Sequence, residues 1–252
     1  MMDEAAKLLL AIQFLTRLPV PGVFTYTEAR MAGSTAYYPL VGALVGGICA
    51  ALYWAASLVF PQPVSVIIAM SAGLLVTGAF HEDGLADTFD GIGGGLTVEK
   101  SLEIMKDSRL GTFGAAALGL ALALKAATLM ALPAPLLLIA FPAVHGLSRL
   151  SSVLTIATSR YVRGEGKAKP VATGAAPVTL IVALLTGIAI VLAWTVWLPL
   201  QPLLGGLAGL ATGHILMRLF FEPKLKGYTG DTLGAVQQAS EIGFYLGVLA
   251  CL

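Results

Sequence analysis

The chain is written as long apolar runs separated by two kinds of connection. A spanning helix needs about 20 mostly apolar residues, and runs near 36–60, 64–80, 112–132, 134–158, 177–198 and 202–221 meet that length. A seventh, 232–252, carries Gln237, Gln238 and Glu241. It spans only if those side chains find partners inside the protein. The stretch 5–18 is shorter, carries Lys7, Gln13 and Arg17, and stops at Pro19 and Pro21. It predicts an interfacial or re-entrant helix. The pattern is that of an all-α, polytopic membrane bundle. It has about six to seven transmembrane helices in one domain over residues 1–252, with no repeat period of the solenoid kind.

The connections alternate. Pro61-Gln62-Pro63, Pro133-Ala134-Pro135 and Pro199-Leu200-Gln201-Pro202 are short and uncharged, whereas 19–35, 81–111, 159–176 and 222–231 are long and polar. Lys7, Arg17, Arg30, Lys100, Lys106, Arg109, Arg160, Arg163, Lys167, Lys169, Lys224 and Lys226 all fall at the N-terminus or in the long connections. By the positive-inside rule that end faces the cytoplasm. Nearly all chemistry-capable residues therefore share one side. An enzyme acting on cytoplasmic substrates needs one furnished face, whereas a transporter needs access from both.

Composition narrows the class further. Of 252 residues, 57% are hydrophobic and 12% are charged, about half the charge of an ordinary domain. The mean hydropathy is +0.86. This excludes a cytosolic globule, a disordered chain and a nucleic-acid binder with a basic face, and it makes membrane lipid the surrounding partner. Fifteen basic against 14 acidic residues give no global pull on any charged partner. Cys49 and Cys251 lie in apolar runs, which argues against a disulfide framework. Asp3, Glu4, Lys7 and Arg17 near the start argue against a removable signal peptide. Glycine-rich runs at Gly42–Gly47 and Gly205–Gly213 permit close helix packing, within one chain or in a homo-oligomer.

The main chemical signal is His81-Glu82-Asp83-Gly84-Leu85-Ala86-Asp87-Thr88-Phe89-Asp90-Gly91. In a helix, Asp83, Asp87 and Asp90 stand at i, i+4 and i+7 and share a face. Like charges on one stripe repel, and a divalent cation reverses that sign. Oxygen-only donors suit Mg²⁺, which takes one or two carboxylates together with substrate phosphates. A solvated acidic loop is the plain alternative. Lys106-Asp107-Ser108-Arg109 combines a carboxylate with two cations, or is simply an interfacial anchor. Lys226-Gly227-Tyr228-Thr229-Gly230-Asp231 opens the last run. Its Thr229–Gly230 turn can present N–H groups to an anion, and Asp231 is either a plain helix cap or part of the site. Lys125, His145, Arg149, His214, Arg218 and Glu241 lie inside apolar runs. Arg149 and Glu241 either form structural ion pairs or reach toward the site, and Lys125 is a partner for Glu241.

That inventory of carboxylates, cations and glycine turns fits phosphoryl transfer. The rival classes are an ion-coupled transporter with Lys125, Arg149 and Glu241 as its relay, a membrane nucleotide-diphosphate hydrolase, and a non-catalytic scaffold. CDP-alcohol phosphotransferases offer a chemical analogy only. Asp83-Gly84 is present, but Asp87-Thr88 stands where their motif has Ala-Arg.

Phe14-Leu15-Thr16-Arg17-Leu18-Pro19-Val20-Pro21, the segment His81–Gly95, Lys106–Gly114 and Gly227–Gly234 together resemble, in order, the motifs of the cobalamin synthase (adenosylcobinamide-GDP ribazoletransferase) family. The resemblance runs from about residue 7 to the C-terminus. It implies a multi-pass enzyme of the cell inner membrane with its active site facing the cytoplasm. It implies Mg²⁺-dependent joining of adenosylcobinamide-GDP to α-ribazole or its 5′-phosphate, with release of GMP. By position it makes Asp83, Asp87 and Asp90 metal ligands, with Glu82 as a fourth group. Asp107 and Asp231 become ligands or the hydroxyl base, with Asp90 and Arg109 also in the catalytic set. Arg109, Arg149, Arg163, Lys106, Thr229 and Gly230 become phosphate contacts.

Overall fold

The computed structural model describes residues 2–20, 22, 25–164, 171 and 177–252. Among them the regular elements are helical, apart from one parallel bridge between Tyr161 and Tyr228. In chain order they are α1 (Met2–Leu15), α2 (Glu28–Ser34), α3 (Tyr38–Ser57), α4 (Gln62–Thr77), α5 (Phe80–Gly94), α6 (Val98–Ile104), α7 (Thr112–Ala131), α8 (Ala134–Thr158), α9 (Pro177–Trp197), α10 (Leu200–Leu225) and α11 (Gly230–Ala250). A 3₁₀ turn, Thr35–Tyr37, joins α2 to α3. Lys167 and Lys169 lie outside the described residues.

Among the described residues five helices are long and apolar enough to cross a membrane: α2–α3 taken together (Glu28–Ser57), α7, α8, α9 and α10. The α4–α5 pair passes only jointly and is bent by 85°. The bend has a local cause. Gly78 and Ala79 are both left-handed (φ +65° and +56°), so the helix cannot continue. α5 therefore leaves the course of α4 and runs against the starts of α7 and α11.

α11 is 21 residues long, but polar residues lower its average hydropathy. It succeeds as a central helix because it packs against α10, α8, α5 and α7, so its amides and carboxylate meet protein rather than lipid. The α10–α11 seam brings backbone against backbone: a Cβ on Gly205, Gly209 or Gly213 would strike the main chain at Gly247, Gly243 or Ala239. Gly42 and Gly46 of α3 meet the backbone of His145 and Phe141 in the same way. Both glycine runs are thus used for packing within the chain.

The two ends of the bundle differ as the connections foretold. At the short-turn end, the Gln62 side-chain amide donates to the carbonyls of Met130 (3.1 Å) and Leu132 (2.7 Å), tying two turns together. The polar end holds α5, α6 and the strap 159–163. Two stretches read from sequence as plain connections contain short helices. α2 starts at Thr27, whose hydroxyl accepts from Arg30 N, and α6 starts at Thr97, whose hydroxyl accepts from Lys100 N. Large apolar side chains such as Leu120, Leu185, Leu192 and Leu219 point outward, as lipid requires.

Candidate active site

α5 is clamped on several sides, and the clamps decide which of its carboxylates stay free. At its N-terminal end, Arg17 N donates to Val76 O at 2.7 Å. The Arg17 side chain lies against Gly78, where a Cβ would collide with it. Phe14 meets Phe80 edge-on at 5.4 Å and stacks on Tyr38 at 6.1 Å. At its C-terminal end, Lys224 Nζ donates to Ile92 O (2.7 Å) and to Gly95 O, meeting carbonyls that the helix leaves unpaired.

Along its length, α5 crosses the start of α11 on glycine. A Cβ at Gly84 would strike the backbone of Asp231, and one at Gly234 would strike His81. This close approach brings Asp231 up to the acidic stripe.

The four carboxylates of α5 then part company. Asp83 is exposed and Asp87 half-buried. Asp90 is buried, and both of its oxygens accept backbone N–H groups at the start of α7, from Gly111 (2.7 Å) and Gly114 (2.8 Å). Neither glycine has room for a Cβ beside it. Glu82 is buried on the opposite face, where its Oε1 accepts from the Gln238 amide at 2.9 Å. The carboxyl of Asp87 is pushed up to about 7, chiefly by burial and then by the negative charges of Asp231 and Asp83.

Asp231 is not the helix cap. Thr229 caps α11, its hydroxyl accepting from Thr232 N (3.3 Å) while Thr232 Oγ1 accepts from Thr229 N (2.9 Å). Asp231 is left free to face Arg163, whose guanidinium stands 2.7 Å from Asp231 Oδ2.

The bridge explains why Arg163 is there. Tyr228 N donates to Arg160 O (2.8 Å) and Val162 N to Tyr228 O (3.0 Å). Gly227 has no space for a side chain against Arg160 O. The strap is pinned to the entry of α11, and Arg163 follows. Its Nη2 makes that ion pair from a largely buried position, and its Nε is buried with no hydrogen-bond partner among the described residues. Asp83, Asp87, Asp231 and Arg163 thus form one patch, with the Thr229–Gly230 turn beneath it.

Other residues named from the sequence lie apart from that patch. Asp107 and Arg109 turn to each other, with Arg109 donating to Asp107 Oδ2 at 2.6 Å. The Arg109 guanidinium holds the Asp107 carboxyl down to about 2. Lys106 is exposed beside them. Arg149 is fully buried below α5 and donates to His145 O at 2.8 Å. Lys125 does pair with Glu241, at 3.0 Å. Among the described residues no three His, Cys, Asp or Glu side chains close around a metal position.

The family is now decidable. A family model described as cobalamin-5-phosphate synthase matches residues 7–249. The chain belongs to that family. Curated relatives named adenosylcobinamide-GDP ribazoletransferase include one from Shewanella frigidimarina, 44% identical over 95% of this chain and 92% of its own length. One from Leptothrix cholodnii is 42% identical over 99% and 97%, and one from Ralstonia pickettii is 42% identical over 95% and 93%. No solved structure matches the chain. It is an enzyme, a transferase of cobalamin biosynthesis built from membrane helices.

The motif residues of this synthase fall into two groups. Asp83, Asp87, Arg163 and Asp231 converge. Glu82, Asp90 and Arg149 support from behind. Gln238, Gly84 and Lys224 matter to this arrangement and received no role from the sequence. Gln238 had a readable signal, since it lies seven residues after Asp231 and so on the same face of α11.

Proposed function

We propose that this enzyme transfers the adenosylcobinamide phosphoryl group from adenosylcobinamide-GDP to the ribose 3′-hydroxyl of α-ribazole or its 5′-phosphate, releasing GMP. The observation that carries the reading is the convergence of Asp83, Asp87 and Asp231 with the guanidinium of Arg163. The 3′-oxygen attacks the phosphorus linked to cobinamide. A P–O bond forms there, and the bond from that phosphorus to the GMP oxygen breaks.

Mg²⁺, held by Asp83 and Asp87, would supply neutralisation of the diphosphate charge. The residues fit such an ion. The donors are hard carboxylate oxygens without sulfur, and their mutual repulsion is what a cation relieves. An open set, not a closed cage, also suits a cation that completes its shell with phosphate oxygens and water. Arg163, held beside Asp231, supplies positive charge to the phosphate oxygens of the diphosphate. Asp231 accepts the proton of the attacking hydroxyl. Gly230 and Asp231 offer their N–H groups at the start of α11 to the leaving nucleotide's phosphate. The polar end, with its basic residues, faces the cytoplasm from the inner membrane.

The deciding experiment is GMP release by the purified protein in liposomes, given both substrates with Mg²⁺ or with chelator. The reading requires release that needs both substrates and the metal. Release without α-ribazole identifies a hydrolase instead. No release from well-folded protein contradicts the transfer.

A further inference from the structure

The polar interior beneath α5 plays no part in the transfer as written. Glu82 is adjacent to Asp83 in sequence but points inward. Gln238 Nε2 donates to Glu82 Oε1 (2.9 Å) and to Gln237 Oε1 (2.8 Å), while Gln238 Oε1 accepts from Lys125 Nζ (2.7 Å). Lys125 also pairs with Glu241 (3.0 Å), and Gln237 donates to Glu241 (2.5 Å) and to Ser148 (2.9 Å). The charges cancel, Glu82 and Glu241 against Lys125 and Arg149. A cavity of about 30 Å³ lies among these groups. Glu82 Oε2, Arg149 Nε and the Tyr245 hydroxyl are buried at its lining residues, without partners among the described residues. Its size and polarity suit one or two waters.

The geometry of α11 joins this interior to the acidic patch. Asp231, Gly234 and Gln238 lie on one face of α11, and all three meet α5: Asp231 at Gly84, Gly234 at His81, and Gln238 at Glu82. The glycines make this crossing smooth, so at the crossing itself the Glu82–Gln238 bond is what adds to the clamps at Phe80, Asp90 and Lys224 in fixing the rotation of α5. One residue along a helix is a turn of about 100°. A rotation that released Glu82 would therefore carry Asp83 and Asp87 away from Asp231.

We propose that Glu82 is a positioning residue: bonded to Gln238, it locks the rotation of α5 so that Asp83 and Asp87 stand opposite Asp231. This rests on the reading of that patch as the metal and phosphate site. Glu82 acts as a hydrogen-bond acceptor inside the bundle, and its role does not require contact with a metal.

The test compares Glu82→Ala, Gln238→Ala, their combination and Glu82→Gln. It reads kcat for GMP release, the Mg²⁺ concentration giving half-maximal rate, and Mn²⁺ binding by electron paramagnetic resonance in the presence of GMP. Each alanine variant should lower kcat about tenfold, the scale of a small misplacement of reacting groups. The double variant should fall no further than the worse single one, because both break one link. Glu82→Gln, which still offers Gln238 an acceptor, should keep kcat within about threefold and leave Mn²⁺ affinity unchanged.

Weakened Mn²⁺ binding in Glu82→Gln, matching Asp83→Asn, would overturn the proposal in favour of a ligand. Multiplying losses in the double variant, or unchanged kcat in the singles, would overturn it too. Should Glu82→Gln fail to fold because Arg149 is left short of a counter-charge, Glu82→Gln with Arg149→Met keeps the interior neutral and carries the same expectation. If the unmodified enzyme works without any divalent metal, the metal reading falls, while the kcat cycle still decides Glu82.

Discussion

The outer and inner faces of α5 treat the same functional group in opposite ways. On the inner side, Glu82 is buried and held by an amide, and at the covered end of the outer stripe Asp90 has a backbone N–H from the start of α7 on each oxygen. On the outer side, Asp83 and Asp87 are given no such donors, and Asp231 is brought in by a glycine contact to crowd them. A carboxylate satisfied by its own chain is a strut. One left short of partners beside like charges is prepared for a ligand that brings positive charge. The contrast teaches that the stripe Asp83, Asp87, Asp90, uniform in sequence, is divided by what packs against it.

The sharpest way to break the contrast is to neutralise the outer face. Asp83→Asn or Asp87→Asn should reduce GMP release at least about 100-fold, since the metal's charge stabilisation is worth several kcal/mol. Chelation of the unmodified enzyme should do the same, and added Mg²⁺ should restore it. Near-normal rates in either variant would move the site elsewhere.

The two arginines give the next comparison. Arg163→Ala should lower kcat/KM by about 10- to 100-fold and lower the thermal midpoint only modestly, because it removes the cation of the acidic patch and leaves the half-buried Asp231 without its partner. Arg149→Ala should act first on folding, at about 3–5 kcal/mol, because it leaves Glu82 and Glu241 short of a counter-charge. Thermal unfolding in detergent, read beside steady-state kinetics, separates the two.

Gly84→Ala sharpens the comparison by pushing the faces apart. Its Cβ meets the Asp231 backbone, so α5 must shift from α11. Activity should fall about tenfold with the carboxylates all present. An unaffected rate would show that the close approach is not needed.

The smallest effect is expected at Asp107. It is tied to the exposed Arg109 and ionised throughout the working range, its carboxyl being held down to about 2. Asp107→Ala should leave GMP release within about threefold, with the pH profile unchanged. An exposed pair of this kind contributes little. A loss as large as that of Asp83→Asn would bring this loop into the reaction.

Much of this fold was legible in the chain. The length of the apolar runs set the spanning helices, and Pro-rich against polar connections separated the two ends. The i, i+4, i+7 spacing marked a shared stripe on α5. What could not be read was the rotation of that stripe against its neighbours. Periodicity shows that Asp83, Asp87 and Asp90 lie together. It does not show that the start of α7 arrives over Asp90. Glu82 sits one residue from the stripe and looks equally acidic, yet its partner is 156 residues away on α11. Gly78 and Ala79 read as part of an apolar run, and only their left-handed backbone turns α5 across the bundle. Long-range pairing of this kind leaves no local signal.

The most direct test of the divided helix is a Mg²⁺ titration of GMP release in Asp83→Asn beside Asp90→Asn. The account predicts that Asp83→Asn loses activity and shifts its metal requirement upward. Asp90→Asn still offers one oxygen to the start of α7 but turns its NH₂ toward the other N–H. It should lose about 2–3 kcal/mol of stability while titrating with the same half-saturating Mg²⁺ as the unmodified enzyme. Equal shifts in metal requirement for both variants would contradict the account, since Asp90 would then be serving the metal and not α7.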